Sequence, residues 1–412
     1  MTRLRLGRSY WMDVARARAP RHPPLRGTHG VDVAIVGGGL TGCAAALLFA
    51  RAGATVALVE SRQIGRGSTI ASTALLMQEP DVDLGELSAR YGPATARRMW
   101  GCSAAAVAAM RRTLTGLGAP ALRALPSLYV TREPEQTVAL RREAALRQRA
   151  GFRSRWIGPA AAQRLTGFET AGAIRTDGNA QADPYGACLA LADGACDAGA
   201  RLYERSPVRR VAGSRHGVTV TLSDGAIHAD WAIVATGYAT PAFKPLAARF
   251  RMMNTYVVAT PPLDASQRRA VGLGSVMMWD TERPYHYLRW TPDHRLLFGG
   301  LDRPRVPRAT RPAALRAQAV RLMADLTELY PSLAGMKPAY AWEGLFAMTP
   351  DGLPYIGAHR RYPRHLFALG YGGNGMTLGF LAAQILVRVA NGTATPDDRL
   401  FGFGRTRASR RP

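Results

Sequence analysis

The sequence predicts an α/β protein in which a βαβ nucleotide-binding domain is interleaved with an α+β domain built on an antiparallel sheet. Three observations predict it. An apolar, β-branched run over residues 31–36 leads directly into G-x-G-x-x-G at Gly37, Gly39 and Gly42. A second apolar run, 55–59, ends on Glu60, 18 residues beyond Gly42. Between residues 251 and 301 the apolar positions alternate with period two. The first two, in that order, are the parts of a Rossmann-like dinucleotide-binding unit; the third is the pattern of half-buried strands.

Each part of the unit has a physical role. Gly37 lets the chain turn sharply out of the strand, Gly39 lets the backbone approach a pyrophosphate, and Gly42 lets the helix pack tightly on the sheet. Leu40 and Thr41 open that helix, whose free N–H groups and positive dipole end face the phosphates. Glu60, with Ser61 beside it, stands where a carboxylate accepts hydrogen bonds from a ribose diol.

The other segments follow in order. Residues 1–30 form a tail in which Ser9, Tyr10 and Trp11 are expected to pin it to the body, with a Pro-rich linker at 20–24. Residues 65–75, rich in Gly, Ser and Thr, read as a loop. Helical spacing predicts two helices over 84–118 and an Arg-rich amphipathic helix over 134–150, with a short strand at 128–130 between them. A loop at 178–184 opens a helix over 185–198. Strands are expected at 201–203, 208–211, 218–222 and 226–229, the last two joined by a turn at Ser223, Asp224 and Gly225. Residues 231–237 read as a buried parallel strand ending on a glycine turn. Alternating strands at 252–260, 275–279, 285–290 and 296–299 form the antiparallel sheet. A helix over 313–329, a strand over 339–343, a glycine cluster at 370–375 and an apolar helix over 377–390 complete the order. The nucleotide-binding domain is therefore expected to be discontinuous, comprising 31–80, 170–245 and 340–400. Residues 81–169 and 246–339 form the substrate domain, and 401–412 a basic tail.

With 412 residues, 47% hydrophobic and 20% charged, the chain is long enough for two joined domains and a large core. No transmembrane segment is expected: the longest uncharged stretch, 33–50, contains the glycines of the nucleotide loop. The Arg-rich first thirty residues, with Asp13 their single acid, lack the apolar stretch of a secretory signal. Cys43, Cys102, Cys188 and Cys196 are scattered without a C-x-x-C pair. Reduced thiols, a cytoplasmic location and no metal site are therefore expected. The net charge of +25 rests almost wholly on arginine spread along the chain, Lys244 and Lys337 being the lysines. Spread charge of this kind argues against a nucleic-acid partner, and residues 405–411 are expected to be a solvated end.

Three further pieces separate FAD from NAD: Ser68, Thr69, Ser72 and Thr73 in the 65–75 loop; Val208 followed by the hairpin and by Ala235, Thr236 and Gly237; and Gly373, Asn374, Gly375, Met376 and Thr377 before the last helix. With the glycine unit they make the chain resemble, over roughly residues 30–395, the D-amino-acid oxidase, glycine oxidase and sarcosine oxidase group of FAD-dependent amine oxidoreductases. The resemblance implies that the hydroxyls of the loop hydrogen-bond the flavin and its pyrophosphate, and that the Val208 backbone contacts adenine. It also implies that the glycine cluster presents N–H groups and a helix N-terminus to the flavin's pyrimidine edge, where the dipole favours negative charge. The FAD is expected to be non-covalent. Relatives tether it through a cysteine shortly before a Thr-Pro-Asp triplet; here the triplet is Thr349, Pro350 and Asp351, the cysteine position is Gly344, and no cysteine follows Cys196.

The resemblance further implies hydride transfer from the nitrogen-bearing carbon of a small-molecule amine or amino acid, leaving an imine that water hydrolyses. Along 285–290, alternation puts Tyr285, Tyr287 and Arg289 on one face and His286, Leu288 and Trp290 on the other. The first face suits a carboxylated amine, with arginine bidentate to the carboxylate and the tyrosines as walls and donors; the open alternative is a surface or flavin-facing Arg289 with the tyrosines packed between domains. His286 reads as structural, and Met77, Gln78 and Trp342 as within reach of the site. The lysine that sarcosine-oxidase-like relatives place near the flavin falls here around apolar Leu297. Oxygen and a quinone or other electron carrier both stay open as acceptor, as does, on the basic charge alone, an RNA-related role. Oligomeric state is not readable.

Overall fold

The computed structural model describes residues 4–14 and 22–405. Among them, one sheet is organised on the strand Gly27–Val36, which pairs in parallel with Val56–Val59 on one side and Gly225–Gly237 on the other. Arg201–Tyr203 extends it beyond Val56–Val59, and Tyr362–Leu369 pairs in parallel with the far half of Gly225–Gly237. Helices Leu40–Arg51, Pro184–Asp197 and Gly375–Ala390 pack together over one face, burying Ile35, Leu58, Ile233 and Leu366. Fully buried alanines, Ala44, Ala45 and Ala46 on the first helix and Ala382 and Ala383 on the last, let these helices approach closely. A second apolar cluster, which includes Val218 and Val220 of the hairpin, covers the other face. Burial on both faces explains why these strands are continuous apolar runs.

The second sheet has nine strands: Arg5–Leu6, Tyr340–Met348, Arg251–Ala259, Leu296–Pro304, His286–Trp290, Met277–Asp280, Ser127–Thr131, Gly172–Thr176 and Ser154–Ile157, in that spatial order. Helix Arg311–Leu329 closes one face, where Leu322 and Leu326 meet Tyr256, Val258 and Phe298. The opposite face turns toward the first sheet: Val257 and Leu297 join the main core, while Met253, Thr255 and Tyr287 line a cavity.

Five expectations are corrected. The second sheet is mixed, because Met277–Asp280 runs parallel to Ser127–Thr131 and Arg5–Leu6 parallel to Tyr340–Met348; alternation reports one-sided burial, not strand direction. The strands expected at 226–229 and 231–237 are one, Gly225–Gly237, since pairing with Gly27–Val36 continues past the exposed Asp230. The 65–75 loop contains a helical turn, Ser68–Ala71. Arg405, expected to be solvated, is almost fully buried against Asp351. Residues 172–176 and 340–348, grouped by sequence with the nucleotide-binding segments, run in the nine-stranded sheet.

Tyr10 and Trp11 are buried, and this N-terminal segment buttresses the Ser/Thr-rich loop. Ser9 Oγ donates to the Ile70 carbonyl at 2.7 Å and Trp11 Nε1 to the Ser72 carbonyl at 2.9 Å. Part of the expected 20–24 linker and residues 406–411 lie outside the described residues. All four cysteines are free thiols, with Cys43 and Cys188 buried. Among the described residues no helix is long and apolar enough to cross a membrane, and no cluster of His, Cys, Asp and Glu is placed to hold a metal ion.

Candidate active site

A cavity of about 880 Å³ lies between the two sheets. One end is the glycine loop. Gly37 has φ +110°, and a Cβ there would fall 2.7 Å from the Ala235 carbonyl oxygen of the neighbouring strand. Glu60 Oε2 accepts from the Gly38 N–H at 2.8 Å and Oε1 from the Arg62 N–H at 2.9 Å, which fixes the carboxylate at the lip of the loop. The helix Leu40–Arg51 has no side-chain cap of its own. Instead Thr69 Oγ1 accepts from the Leu40 N–H at 3.0 Å, so the Ser/Thr-rich loop closes over the helix N-terminus. Ser68 Oγ in turn donates to the Leu345 carbonyl at 2.6 Å.

The structure brings most of the expected binding residues to this cavity. Gly37, Gly39, Leu40, Thr41, Glu60, Ser61, Ser68, Ser72, Thr73, Val208, Ala235, Thr236, Gly237, Gly373, Gly375 and Met376 all line it. Gly42, Asn374 and Thr377 do not. Gly42 packs the helix onto the carbonyl of Gly37. Asn374 is buried, its Nδ2 donating to the carbonyls of Met77 at 2.8 Å and Glu79 at 2.7 Å, which ties the start of the last helix to the chain leaving the Ser/Thr-rich loop. Thr377 is fully buried in the first turn of that helix.

The other end is a chamber of phenols and carboxylates. Tyr285 and Tyr287 line it, their ring centroids 6.1 Å apart. Tyr287 lies flat over Gly299 of the adjacent strand, where a Cβ would fall within 2.7 Å of its ring and hydroxyl, and its Oη shares a 3.0 Å hydrogen bond with Thr255 Oγ1. Between Asn254 and Tyr256 the pairing of Arg251–Ala259 with Leu296–Pro304 shifts register. This bulge, with Gly300 at φ +140° and Leu301 at φ +55°, reverses the side-chain parity: Leu301 points into the core beneath the helix and Asp302 into the cavity. Across the chamber, Asp81 accepts a short hydrogen bond from the Gly373 N–H. Desolvation by the surrounding cavity wall and the neighbouring charge of Asp302 push its carboxyl up to about 7.

Arg289 is not in the chamber, and the expectation that it anchors a carboxylate is corrected. It shares a strand face with Tyr287, but two residues further along the cavity has ended. Its guanidinium is buried under the Trp11 ring, 5.1 Å from the centroid, and donates to the Ala182 carbonyl at 2.8 Å; burial pushes its pKa down to about 9. His286 is structural, stacked on Phe298 and held between Asp280 and Asp325. Met77 lines the cavity, whereas Gln78 turns to Asn179 and Asp177, and Trp342 is buried with its Nε1 on the Ala71 carbonyl. Thr255, Asp81 and Asp302 were not found from the sequence; the acid run at 79–83 on a basic chain and the paired glycines at 299–300 were their signals.

Residues 32–389 match the family described as FAD dependent oxidoreductase. The chain belongs to this family. It is 26% identical over 397 residues to the gamma-glutamylputrescine oxidoreductase of Escherichia coli, covering 94% of this chain and 89% of that protein. It is 25% identical over 383 residues to the glycine oxidase of Bacillus licheniformis, covering 90% and 96%. The L-proline dehydrogenase from P. horikoshii shares the fold, with a TM-score of 0.77 at 20% identity over 93% of this chain and 99% of that one. The cavity of this FAD-dependent oxidoreductase fits its cofactor. At Gly37 and Gly42 a side chain would strike backbone atoms, a helix N-terminus opens beside the fixed Glu60 carboxylate, and the cavity continues without a break to Tyr287. None of the four cysteines lines it.

Proposed function

We propose that this FAD-dependent oxidoreductase removes a hydride from the nitrogen-bearing carbon of an amine or amino acid, giving an imine that water hydrolyses. The observation that carries this reading is the continuity of one cavity from the glycine loop to the chamber of Tyr285 and Tyr287. When bound, FAD supplies the hydride acceptor. Gly37, Gly39, Leu40, Thr41, Glu60, Ser61 and Val208 would hold its nucleotide half. Ser68, Ser72, Thr73, Ala235, Thr236, Gly237 and the backbone at 373–376 would line the rest. The chain's own work is to orient the donor carbon and to keep the chamber dry. Tyr287, fixed by Thr255 and by its seat on Gly299, is the wall that sets that orientation. The strands of the parallel sheet form the cofactor part and the nine-stranded sheet the substrate part.

Electron delivery to a quinone or other carrier, rather than to oxygen, is favoured by one observation. No lysine lines the cavity, and Leu297 is fully buried in the main core. Both readings are tested by adding amines and amino acids to the holoenzyme without air and following the visible flavin bands. Bleaching is expected. Its absence with every donor, in a protein that dithionite still reduces, overturns the amine reading. Slow recovery of colour on admitting air supports the carrier, and rapid recovery the oxidase. Acid precipitation is expected to leave the yellow colour in solution, since the cofactor is held without a covalent bond.

A further inference from the structure

We propose that the substrate is an amine carrying no α-carboxylate, its ammonium received between Asp81 and Asp302 beside Tyr285. This rests on the amine reading above and narrows it. On a chain of net charge +25, the chamber end of the cavity is acidic: Glu79, Asp81, Asp83, Glu86, Asp280 and Asp302 line it against the guanidiniums of Arg147 and Arg283. Several of these acids are already partnered. Arg147, buried, pairs with Glu143 at 2.6 Å and Asp83 at 2.9 Å and lies 3.9 Å from Glu79. Asp280 holds the His286 Nδ1 at 2.8 Å. Glu86 is exposed.

Asp81 and Asp302 differ. Asp81 accepts from main-chain N–H at the start of the last helix. Asp302 faces the hydroxyls of Thr255 and Tyr285, and its Oδ1 is shielded from solvent with no hydrogen-bond partner. The two acids meet through Tyr285. A point one Cβ out from Gly373 lies 3.0 Å from Tyr285 Oη and 3.2 Å from Asp81 Oδ1, and the same hydroxyl faces Asp302. Asp302, half-buried with a shielded and unpartnered Oδ1, carries a desolvation cost that an incoming cation offsets, and Asp81, exposed to the cavity, adds a second negative charge beside it.

The same chamber has no anchor for an α-carboxylate. Arg289 is buried outside it, Arg147 is buried among Glu143, Asp83 and Glu79, and Arg283 is exposed with its Nη1 on the carbonyls of Thr281 and Glu282. Met77, Phe346 and Met348 make the remaining wall apolar. A carboxylate one bond from the reacting carbon would lie among like charges.

The test uses the holoenzyme and two inert probes, tetramethylammonium chloride and sodium benzoate, titrated against the visible flavin spectrum. Tetramethylammonium is expected to perturb the spectrum and benzoate not. Asp302→Asn and Asp81→Asn are expected to weaken the ammonium on the order of tenfold or more, the value of a charge-assisted contact, while keeping FAD and the wild-type Tm. Tighter binding of benzoate than of tetramethylammonium overturns the proposal, and needs no variant. Anaerobically, an alkylamine and an α,ω-diamine are expected to bleach the flavin, and glycine, alanine and proline not. Amino acids bleaching as efficiently as the amines overturns this proposal and leaves the broader amine reading intact. Bleaching by neither class overturns the broader reading, and this one with it.

Discussion

Gly42 lies so close to Gly37 that a Cβ on its α-carbon would stand 1.8 Å from the Gly37 carbonyl oxygen. That oxygen is backbone in the tight turn out of the first strand and has nowhere to go. Gly42→Ala is therefore expected to push the helix Leu40–Arg51 off the sheet, costing about 1–3 kcal/mol of stability and stripping FAD during purification. Gly39→Ala should behave differently, because its Cβ meets only Thr69 Oγ1, at 3.3 Å, within the protein. Its apoprotein should melt near the wild-type Tm and still bind FAD on the order of tenfold or more weakly, since the methyl occupies space left for the pyrophosphate. Tm and flavin-release fluorescence on both variants separate the two roles; equal behaviour would contradict them.

The carboxylate of Asp280 does two jobs at once. It accepts from the His286 ring at 2.8 Å, and it accepts from the main-chain N–H of Glu282 at 3.2 Å and of His286 at 2.8 Å. It thereby shapes the turn that carries Arg283, Pro284 and Tyr285 to the cavity. Burial opposes a charge on His286, but Asp280 and Asp325 outweigh it and raise its pKa above 6.5. A base whose pKa is higher folded than unfolded contributes stability that is complete below the unfolded value and is lost as pH rises through the folded one. The Tm advantage of wild type over His286→Gln should therefore be largest below about pH 6.5 and shrink as pH rises. Parallel Tm curves across that range would show that His286 does not carry the charge.

Arg289 supports the fold rather than the substrate. Its guanidinium links Trp11 of the N-terminal segment to the Ala182 carbonyl, next to Asp183, which caps helix Pro184–Asp197 by accepting from the N–H groups of Tyr185 and Gly186. Arg289→Met should leave the Ala182 carbonyl unpaired and cost about 1–3 kcal/mol of stability. KM for any donor that bleaches the flavin should stay within about twofold, because a group that does not touch the substrate contributes no binding energy to it. A large rise in KM at unchanged Tm would restore Arg289 as a substrate anchor.

The contrast between Tyr287 and Arg289 shows what the sequence could and could not convey. Period-two alternation places both on one strand face, but a face has depth, and Arg289 lies beyond the cavity under Trp11, which arrives from the other end of the chain. The places of glycines 37, 39 and 42 and of Glu60 were legible because they follow from local chain geometry within one βαβ unit. Asp302 was not, because the bulge at Gly300 and Leu301 inverts the parity that alternation assumes. Asp81 was not, because its meaning comes from Gly373, 292 residues away. The mixed sheet escaped for the same reason: Ser127–Thr131 pairs with Met277–Asp280 across a separation that no local pattern reports.

The last described residue, Arg405, is part of the fold and not a loose end. Its Nε donates to Asp351 Oδ2 at 2.6 Å and its Nη2 to Oδ1 at 3.0 Å, while Nη1 reaches the carbonyls of Pro354 at 2.7 Å and Phe401 at 2.8 Å. The guanidinium also lies 4.2 Å from the centroid of the Tyr355 ring. Asp351 accepts in addition from Tyr91 Oη at 2.6 Å and is fully enclosed. The Arg405 pair holds its carboxyl below the usual range against the opposing effect of burial. Removing the arginine leaves a buried carboxylate with no cation, which costs about 3–5 kcal/mol. Arg405→Ala, or a chain ending at residue 404, should lower Tm sharply, whereas a chain ending at residue 405 should melt close to wild type. Because a carboxylate whose pKa is depressed in the fold stabilises it above the unfolded pKa, the wild-type advantage should fade as pH drops through the folded value. Thermal melts of the two truncations, run from neutral pH into acid, decide it: equal Tm at neutral pH would show that the Asp351–Arg405 pair contributes nothing.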